Sequence, residues 1–199
     1  MSSPTHIAIL GAGPGGYVAA IRAAQLGARV TIDERQRLGG VCLNWGCIPS
    51  KALLSVVELG DKIKKAGDLG LAVQGTVAYD LVRMVSRKNK VVATLVKGIA
   101  TLFKDWGIEH LTGQGTLKNE RVIAVTQPDG NQLDIQADAL VIATGSSWPN
   151  LPQFPIDGRQ ILTSQHLLDL AHIPATLLII GGASKDVNLH PCTVGLGHR

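Results

Sequence analysis

The sequence predicts an α/β fold in which a parallel sheet with flanking helices is joined to a small antiparallel β-meander. Short apolar runs, most of them ending at glycine, predict buried strands at residues 6–10, 28–34, 137–145 and 175–182. Segments with helical spacing of apolar residues separate the early runs. Four short β segments lie between residues 108 and 137, the last two joined by a Pro128-Asp129-Gly130 turn, and they predict a small meander in this region.

The elements predicted along the chain begin with a βαβ unit. His6–Leu10 is a strand, a helix follows a glycine turn and stops at Gly27, and Ala28–Glu34 is a second strand. These elements fit within about 30 residues, the usual size of such a unit. Further helices are predicted after the second strand, at Lys51–Gly67, at Tyr79–Gly107 as one long helix, and as a short helix within Thr163–Pro174.

Length and composition are those of a globular protein with one good-sized domain or one and a half small ones. The 199 residues are 45% hydrophobic and 17% charged. No apolar run reaches the roughly 20 residues of a membrane span, and the N-terminus has no basic region followed by a long apolar stretch. We therefore expect the cytoplasm or an organelle matrix and no membrane partner. Three cysteines in a reducing compartment do not suggest a structural disulfide framework.

The net charge of +4 allows an acidic partner, but its distribution argues against nucleic acid. The basic residues are concentrated in Arg83–Lys90, where no aromatic side chains are interleaved to stack on bases. A solvated helix face is the better interpretation of this stretch. We expect no nucleic-acid binding.

A glycine-rich turn joins the first strand to the first helix. "GAGPGG" places Gly11, Gly13 and Gly16 in the G-x-G-x-x-G spacing. This spacing alone is a weak signal, but here it follows a strand and opens a helix, the context that dinucleotide binding requires. The first glycine allows the tight turn, the second lets backbone N–H groups reach a pyrophosphate, and the third lets helix and strand approach closely. The sequence therefore predicts a Rossmann-like dinucleotide-binding unit.

The second strand ends in two carboxylates, either of which could bind a ribose hydroxyl about 20 residues after the glycine turn. If Val30 and Ile32 face the core, Glu34 lies on the same face of the strand, and Asp33 lies on the opposite face. Alternation along the strand thus slightly favours Asp33 as the free carboxylate. The spacing from Gly13 does not decide between them.

The stretch "LGGVCLNWGCIPSK" holds two cysteines, Cys42 and Cys47. A metal site is a poor interpretation, because C-x₄-C differs from the usual C-x₂-C spacing and no second pair follows at ligand spacing. Cys192, His190 and His198 are conceivable partners, but nothing else in the sequence organises them. We expect no metal.

A redox couple explains more of the stretch. Residues five apart on a regular helix are separated by about 8–9 Å, beyond the roughly 7 Å limit for a disulfide, so a bond between the cysteines needs a distorted turn. Gly46 makes that distortion easy, and Pro49 suits the first turn of the helix that follows. A helix N-terminus, with Lys51 four residues after Cys47, would stabilise a thiolate.

The same residues carry a resemblance to a known family. "GGVCLNWGCIPSK" closely resembles the redox signature of the FAD-dependent pyridine nucleotide–disulfide oxidoreductases, and its "CLN.GCIPSK" form is most similar to the dihydrolipoamide dehydrogenases among them. The likeness runs from about Ile7 to Gly182 through "ILGAGPGG", "YDLVRMVSRKNKVV", "GQGTL", "LVIATGS" and "LLIIGG". The cysteine stretch is highly specific, whereas the glycine loop alone would not be.

The resemblance implies a role for each matching residue. Cys42 would be the thiol that exchanges with substrate and Cys47 the one beside the flavin, with Lys51 near flavin N5. Glu34, rather than Asp33, would bind the FAD ribose. The remaining cofactor-binding residues would be Gly11, Gly13, Gly16, Gly40, Gly115, Thr144 and Gly145.

The activity that the resemblance implies is dihydrolipoyl dehydrogenation. Dihydrolipoamide on the lipoyl domains of 2-oxoacid dehydrogenase complexes would reduce the Cys42–Cys47 disulfide, and FAD would pass the electrons to NAD⁺. A homodimer is also implied. The alternatives are a non-catalytic FAD-binding fragment and a related flavoprotein of the mercuric or glutathione reductase type.

The domain organisation expected from the resemblance has three parts. Residues 1–147 would form the FAD-binding domain with the cysteine pair, 148–174 a connector, and 175–199 the incomplete start of a second Rossmann unit. The family continues into an NAD-binding domain, a central domain and a dimerisation domain with a His–Glu pair. These 199 residues have no counterpart to them, so we expect a chain truncated before the NAD-binding domain and no complete lipoamide–NAD⁺ turnover.

The resemblance fails at the second glycine turn. After "LLIIGG", Ala183 and Asp186 stand where the family has glycines, and Asp186 would place a carboxylate against an incoming pyrophosphate. The segment 183–199 is interpreted as an unrelated tail, for which a frameshift is one hypothesis. The six histidines, which include His110, His166 and His172, match no such His–Glu motif of the family.

Overall fold

A computed structural model describes residues 3–149 and 151–180 of the chain. The chain forms two compact units. The first contains the chain up to Asn44 together with Ala93–Ser147, and the second contains Trp45–Val92 with the residues from Trp148 onward. The predicted division into 1–147, 148–174 and 175–199 stays a prediction.

The first unit is built on a parallel sheet. Its four strands, in the order β3-β2-β1-β7, are β1 His6–Leu10, β2 Arg29–Glu34, β3 Glu109–Thr112 and β7 Ala139–Ile142. Helix α1, Pro14–Gln25, connects β1 to β2, as the predicted βαβ unit requires, and α2, Gly40–Trp45, follows β2. The middle strands are covered on both faces, which leaves four apolar side chains almost fully buried: Ala8, Ile9, Val30 and Ile32.

A three-stranded antiparallel meander completes the first unit. Its strands, in sheet order, are β4 Gln114–Asn119, β5 Val122–Thr126 and β6 Gln132–Gln136. The predicted turn joins β5 to β6, and the Gln127 N–H donates to the Asn131 carbonyl across it at 2.8 Å. One core cluster joins the meander to the parallel sheet and consists of Ala8, Leu10, Ile123, Val125, Ile135 and Ala137. The predicted α/β fold with its parallel sheet and meander is confirmed.

The second unit is mainly helical. It holds α3 Cys47–Lys64, a 3₁₀ turn at Ala66–Leu69, the first part of α4, which runs over Leu81–Asp105, and α5 Ser164–Leu167. The predicted long helix thus forms as α4, within the predicted bounds. The core of this unit is a cluster of four buried side chains, Leu53, Val57, Met84 and Leu168.

The segment Gly40–Lys64 is long and apolar enough to cross a membrane, with a mean hydropathy of 1.3. Length and composition alone are weak evidence for a span. The segment consists of two helices, α2 and α3, interrupted at Gly46, and α3 buries Leu53 and Val57 in the core of the second unit. The expectation that no membrane is involved stays a prediction.

One prediction near the end of the described chain is wrong. Residues 175–180 form no strand, because none of the described strands lies beside them to complete their backbone hydrogen bonds. Residues 181 and 182 of that prediction lie outside the described part. The short helix predicted within Thr163–Pro174 is confirmed and forms as α5. It ends where the Leu168 carbonyl accepts a 2.9 Å bond from Lys88 Nζ instead of an N–H one turn further on.

Removing the Lys88 ammonium is expected to destabilise the second unit. The side chain is 3% exposed, and its Nζ contacts the Asp169 carboxylate as well as the Leu168 carbonyl. Lys88→Met retains the apolar stem but loses both polar contacts, so we expect the free energy of unfolding to fall by about 1–3 kcal/mol. Urea denaturation followed by circular dichroism measures this change.

Asp169→Asn is the matched control for this prediction. It leaves the bond from Lys88 to the Leu168 carbonyl in place, and the Asp169 side chain is 55% exposed, so water can solvate it. We expect a clearly smaller loss of stability than in Lys88→Met. Equal losses would show that the exposed ion pair, and not the buried carbonyl bond, holds the segment.

Candidate functional site

The glycine turn lies at the carboxyl end of β1, where several backbone segments of the first unit meet. Gly11 has φ +96°, and a Cβ atom there would lie 2.6 Å from the Ala143 carbonyl oxygen and 3.2 Å from Thr144 Cα. The Gly11 N–H donates to the Asp33 carbonyl at 3.0 Å. Gly16 is buried against the Gly11 carbonyl, so a Cβ on Gly16 would overlap that oxygen. The turn is therefore fixed between the ends of β2 and β7.

The N-terminus of α1 opens at this turn. Gly13 is the N-cap, Pro14 occupies the first turn, and no acidic residue lies in that turn. The first N–H groups of a helix have no intrahelical acceptor and carry the positive end of its dipole. Gly13 and Gly15 carry no side chain beside these groups, and Cβ atoms built there would meet nothing closer than 3.9 Å and 3.8 Å respectively. These features fit an anionic group such as a pyrophosphate.

Gly40 lies against the same turn. It has φ +58°, and a Cβ atom there would lie 2.7 Å from Gly13 Cα. The Gly39 N–H also donates to the Ala12 carbonyl at 2.9 Å. These backbone contacts hold the start of α2, which carries Cys42, beside the glycine turn.

The two carboxylates at the end of β2 have different surroundings. Glu34 is half-buried, and its oxygens accept the Ala12 N–H at 3.0 Å and the Gln36 N–H at 2.9 Å. Asp33 is buried, so the expectation from alternation that it is the free carboxylate is wrong. The physical reason is that β2 is covered on both faces, so side chains of odd-numbered and even-numbered residues are both buried. Glu34 lies at the glycine turn, and its role as the ribose ligand stays a prediction.

The remaining predicted residues of the first unit lie near this turn or, in the case of Gly115, contact Asp33, which is bonded to the turn. Gly115 lies against the Asp33 carboxyl and the Leu10 side chain, so no Cβ fits there. Thr144 and Gly145 follow β7 and are exposed, with Thr144 beside the turn. The structure thus brings together six of the predicted residues directly: Gly11, Gly13, Gly16, Glu34, Gly40 and Thr144.

The two cysteines lie on either side of a break between two helices. α2 ends at Trp45, Gly46 has φ −142° and ψ −110°, and α3 begins at Cys47. This is the distortion predicted for a bond between Cys42 and Cys47, and the two residues form a disulfide. Cys42 is half-buried and Cys47 is exposed.

The start of α3 favours a thiolate at Cys47. This residue is the first of the helix, and no acidic residue lies in the first turn to oppose the helix dipole. Lys51 is exposed one turn further along α3 and adds positive charge. Cys47 and Lys51 belong to the second unit, whereas the glycine turn belongs to the first. Their roles beside a flavin stay predictions.

Asn44, between the two cysteines, is a further residue of the site that sequence-based prediction missed. It is buried, and its Nδ2 donates to the Leu38 and Gly40 carbonyls, both at 3.0 Å. Its Oδ1 has no hydrogen-bond partner. Asn44, on α2, therefore holds the preceding loop against that helix through these two hydrogen bonds. Its position inside the cysteine signature was the available signal.

Replacing Asn44 is expected to loosen the loop that leads to Cys42. Asn44→Leu keeps most of the side-chain volume but leaves two carbonyls without their donor, so we expect the free energy of unfolding to fall by about 2–3 kcal/mol. Asn44→Asp also removes the donor and places a charge against both carbonyls, so it should cost more. Chemical denaturation of the oxidised chain measures both variants. An aspartate variant as stable as the wild type would contradict the role of the Asn44 Nδ2 donor.

Within residues 3–149 and 151–180, no group of three or more His, Cys, Asp or Glu side chains is placed to hold a metal ion. The conceivable ligands Cys192, His190 and His198 lie outside the described residues. Ala183 and Asp186, where the second glycine turn was expected to fail, lie outside them as well.

The helix N-terminus at the glycine turn and the disulfide at the start of α3 are features of dinucleotide-binding proteins with a redox-active cystine. A family model described as "Pyridine nucleotide-disulphide oxidoreductase" matches residues 5–184. The chain belongs to this family, whose members are FAD-dependent disulfide oxidoreductases. The resemblance carried by the cysteine signature is thereby confirmed.

Individual relatives agree with this assignment. The dihydrolipoyl dehydrogenase of Chlorobaculum tepidum is 40% identical over 189 residues, which cover 95% of this chain and 40% of the relative. Among solved structures, LpdA from Mycobacterium tuberculosis has a TM-score of 0.78 at 30% identity, covering 85% of this chain and 38% of that one. The Cu(II) complex of the HOCl-induced flavoprotein disulfide reductase RclA from Escherichia coli has a TM-score of 0.80 at 27% identity, covering 98% and 41%. The chain spans about 40% of the length of the curated relatives that it matches.

Proposed function

We propose that this chain provides the FAD-binding and disulfide part of a dihydrolipoyl dehydrogenase, which oxidises dihydrolipoamide and reduces NAD⁺. The observation that carries the proposal is the Cys42–Cys47 disulfide at the start of α3, in a chain 40% identical to a dihydrolipoyl dehydrogenase over 189 residues. When bound, FAD would take up the electron pair of the reduced cysteines and pass it as a hydride to NAD⁺.

The residues that would hold FAD are those at the end of the parallel sheet and on α3. The first N–H groups of α1 would bind the pyrophosphate. Glu34 would accept hydrogen bonds from the ribose, and Gly115 would offer its backbone to the adenine end. Thr144 and Gly145 would close over the cofactor, and Lys51 would keep positive charge near the flavin.

The cysteine pair would oxidise the dithiol by two thiol–disulfide exchanges. A substrate thiolate attacks Cys42 Sγ, the Cys42–Cys47 bond breaks, and Cys47 leaves as a thiolate. The helix N-terminus directs the attack to Cys42, because it makes Cys47 the better leaving group. The second substrate thiolate then attacks the substrate sulfur of the mixed disulfide, which releases Cys42 and cyclic lipoamide. Two electrons pass to the cysteines, one proton goes to Cys42, and the other goes to solvent.

Stoichiometric exchange tests this proposal without NAD⁺. The oxidised chain is mixed with dihydrolipoamide, and the lipoamide formed and the free thiols are counted after acid trapping. We expect about one lipoamide per chain, because each chain holds one disulfide of this pair. A folded, oxidised chain that forms no lipoamide would contradict the proposal.

A disulfide reductase that runs the same couple toward reduction of a disulfide substrate is the second candidate. The likeness to RclA, a flavoprotein disulfide reductase by its name, favours it. Dithiothreitol separates the two candidates, because it has the dithiol chemistry of dihydrolipoamide without its amide chain. Faster exchange with dihydrolipoamide at equal thiolate concentration would support the first candidate, and equal rates would favour the second.

A further inference from the structure

Asp33 has a buried carboxyl group. Neither the thiol–disulfide exchange nor the family resemblance assigns a role to it. Its side chain is 2% exposed, and Oδ1 has no hydrogen-bond partner. The carboxylate accepts the backbone N–H of Gly115, and the Asp33 carbonyl accepts the N–H of Gly11 at 3.0 Å. One residue of β2 therefore ties the start of β4 to the glycine turn.

The surroundings of Asp33 are apolar on most sides and acidic on one. Glu34, the next residue, is the charged group that acts on the Asp33 carboxyl electrostatically. His110 on β3 pairs in register with Ile32 and interacts electrostatically with Glu34. The other neighbours bring no charge; they are Leu10 on β1, Leu111 on β3 and the backbone of Gly115 on β4.

Burial, together with the neighbouring Glu34, raises the pKa of Asp33 from 3.8 to about 6, against the opposing effect of the Gly115 N–H. The folded chain therefore binds this proton more tightly than the unfolded chain does. The resulting stabilisation is fully present below the unfolded pKa of 3.8 and is lost as the pH rises through about 6.

We propose that Asp33 is a positioning residue of the cofactor site, which holds Gly115 and the glycine turn in place and weakens FAD binding when its carboxyl is ionised. This inference rests on the proposed binding of FAD at the glycine turn. Ionised Asp33 adds negative charge beside Glu34 and near the N–H groups that would hold a pyrophosphate. Protonated Asp33 removes that charge and keeps a carbonyl oxygen for the Gly115 N–H.

Titration with FAD, followed by flavin fluorescence from about pH 5 to pH 8, tests this inference. For the wild type we expect the Kd to rise roughly threefold to tenfold across this range, because an anionic ligand favours the protonated form. Asp33→Asn keeps an oxygen for the Gly115 N–H but cannot ionise. Its Kd should therefore stay at the low-pH value of the wild type throughout.

His110→Gln is the matched control, because burial lowers the pKa of His110 below its usual 6.5 and its titration could otherwise be mistaken for that of Asp33. We expect this variant to keep the pH dependence of the wild type. A flat profile in His110→Gln would assign the effect to the histidine and overturn the inference.

Denaturation without FAD provides a second readout. Between about pH 4 and pH 6 the wild type should lose stability relative to Asp33→Asn, in which nothing titrates at this position. A constant stability difference would overturn the inference. If both chains bind FAD with the same pH profile, the inference fails and the proposed function stands. If neither chain binds FAD at any pH, the proposed function fails and the inference fails with it.

Discussion

Replacing Gly16 with alanine is expected to prevent stable folding of the first unit. A Cβ atom on residue 16 would overlap the Gly11 carbonyl oxygen, and that backbone is itself held by the Asp33 carbonyl and confined by Ala143. We expect the free energy of unfolding to fall by about 3 kcal/mol or more, and FAD binding to be lost with the turn. Urea denaturation followed by circular dichroism, together with flavin fluorescence, measures both effects.

Gly15 offers the matched control, since it lies one residue earlier in the same first turn of α1. A Cβ atom there would meet nothing closer than the Ala143 Cβ at 3.8 Å. Alanine loses less backbone entropy than glycine on folding into a helix, so Gly15→Ala should be neutral or stabilise the chain by up to about 1 kcal/mol. Similar losses in both variants would show that the close approach of Gly16 to Gly11 does not govern the stability of the turn.

Removing either cysteine of the disulfide is expected to abolish oxidation of dihydrolipoamide. Without the Cys42–Cys47 bond there is no sulfur–sulfur bond for the substrate to break, so the rate should fall by about a thousandfold or more. Thiol counting in denaturant checks the assignment directly, because the sequence has three cysteines. The oxidised wild type should show only the Cys192 thiol, and Cys42→Ser should show the thiols of Cys47 and Cys192.

Cys192→Ser is the control for these variants. We expect it to exchange with dihydrolipoamide at the rate of the wild type and to show no free thiol before reduction. A slow Cys192→Ser variant, or an oxidised wild type in which all three cysteines react, would contradict the assignment of the redox couple to Cys42 and Cys47.

The sequence predicted those elements that depend on a local pattern of residues. It did not predict features that depend on contacts between residues far apart in the chain. β1 has the predicted bounds because its apolar run ends at the first glycine of the turn, and α4 follows its helical apolar spacing. The short helix after Thr163 is found as predicted, but the sequence does not show that Lys88, 80 residues away from Leu168, binds that residue's carbonyl at the helix end. The strand expected at 175–182 lacked a partner strand over its described residues, and no local pattern can supply one.

At the site, motif spacing predicted which residues matter but not their surroundings. The glycine spacing and the break at Gly46 between the cysteines are found as predicted. Alternation along β2 selected the wrong carboxylate, because Asp33 is covered by a segment distant in sequence, β4, whose Gly115 lies against its carboxyl. Asn44 was missed because its bonds run to backbone carbonyls, which no pattern of side chains encodes.

Binding of FAD with the Cys47 thiolate against the flavin is tested most directly by a visible absorption spectrum. The purified chain is loaded with FAD, freed of excess cofactor by gel filtration, and measured before and after anaerobic reduction with dihydrolipoamide. We expect a protein-bound flavin band and, on reduction, a new shoulder at long wavelength from the thiolate in contact with the flavin. A colourless protein, or a flavin band that gains no shoulder on reduction, would contradict the proposed function.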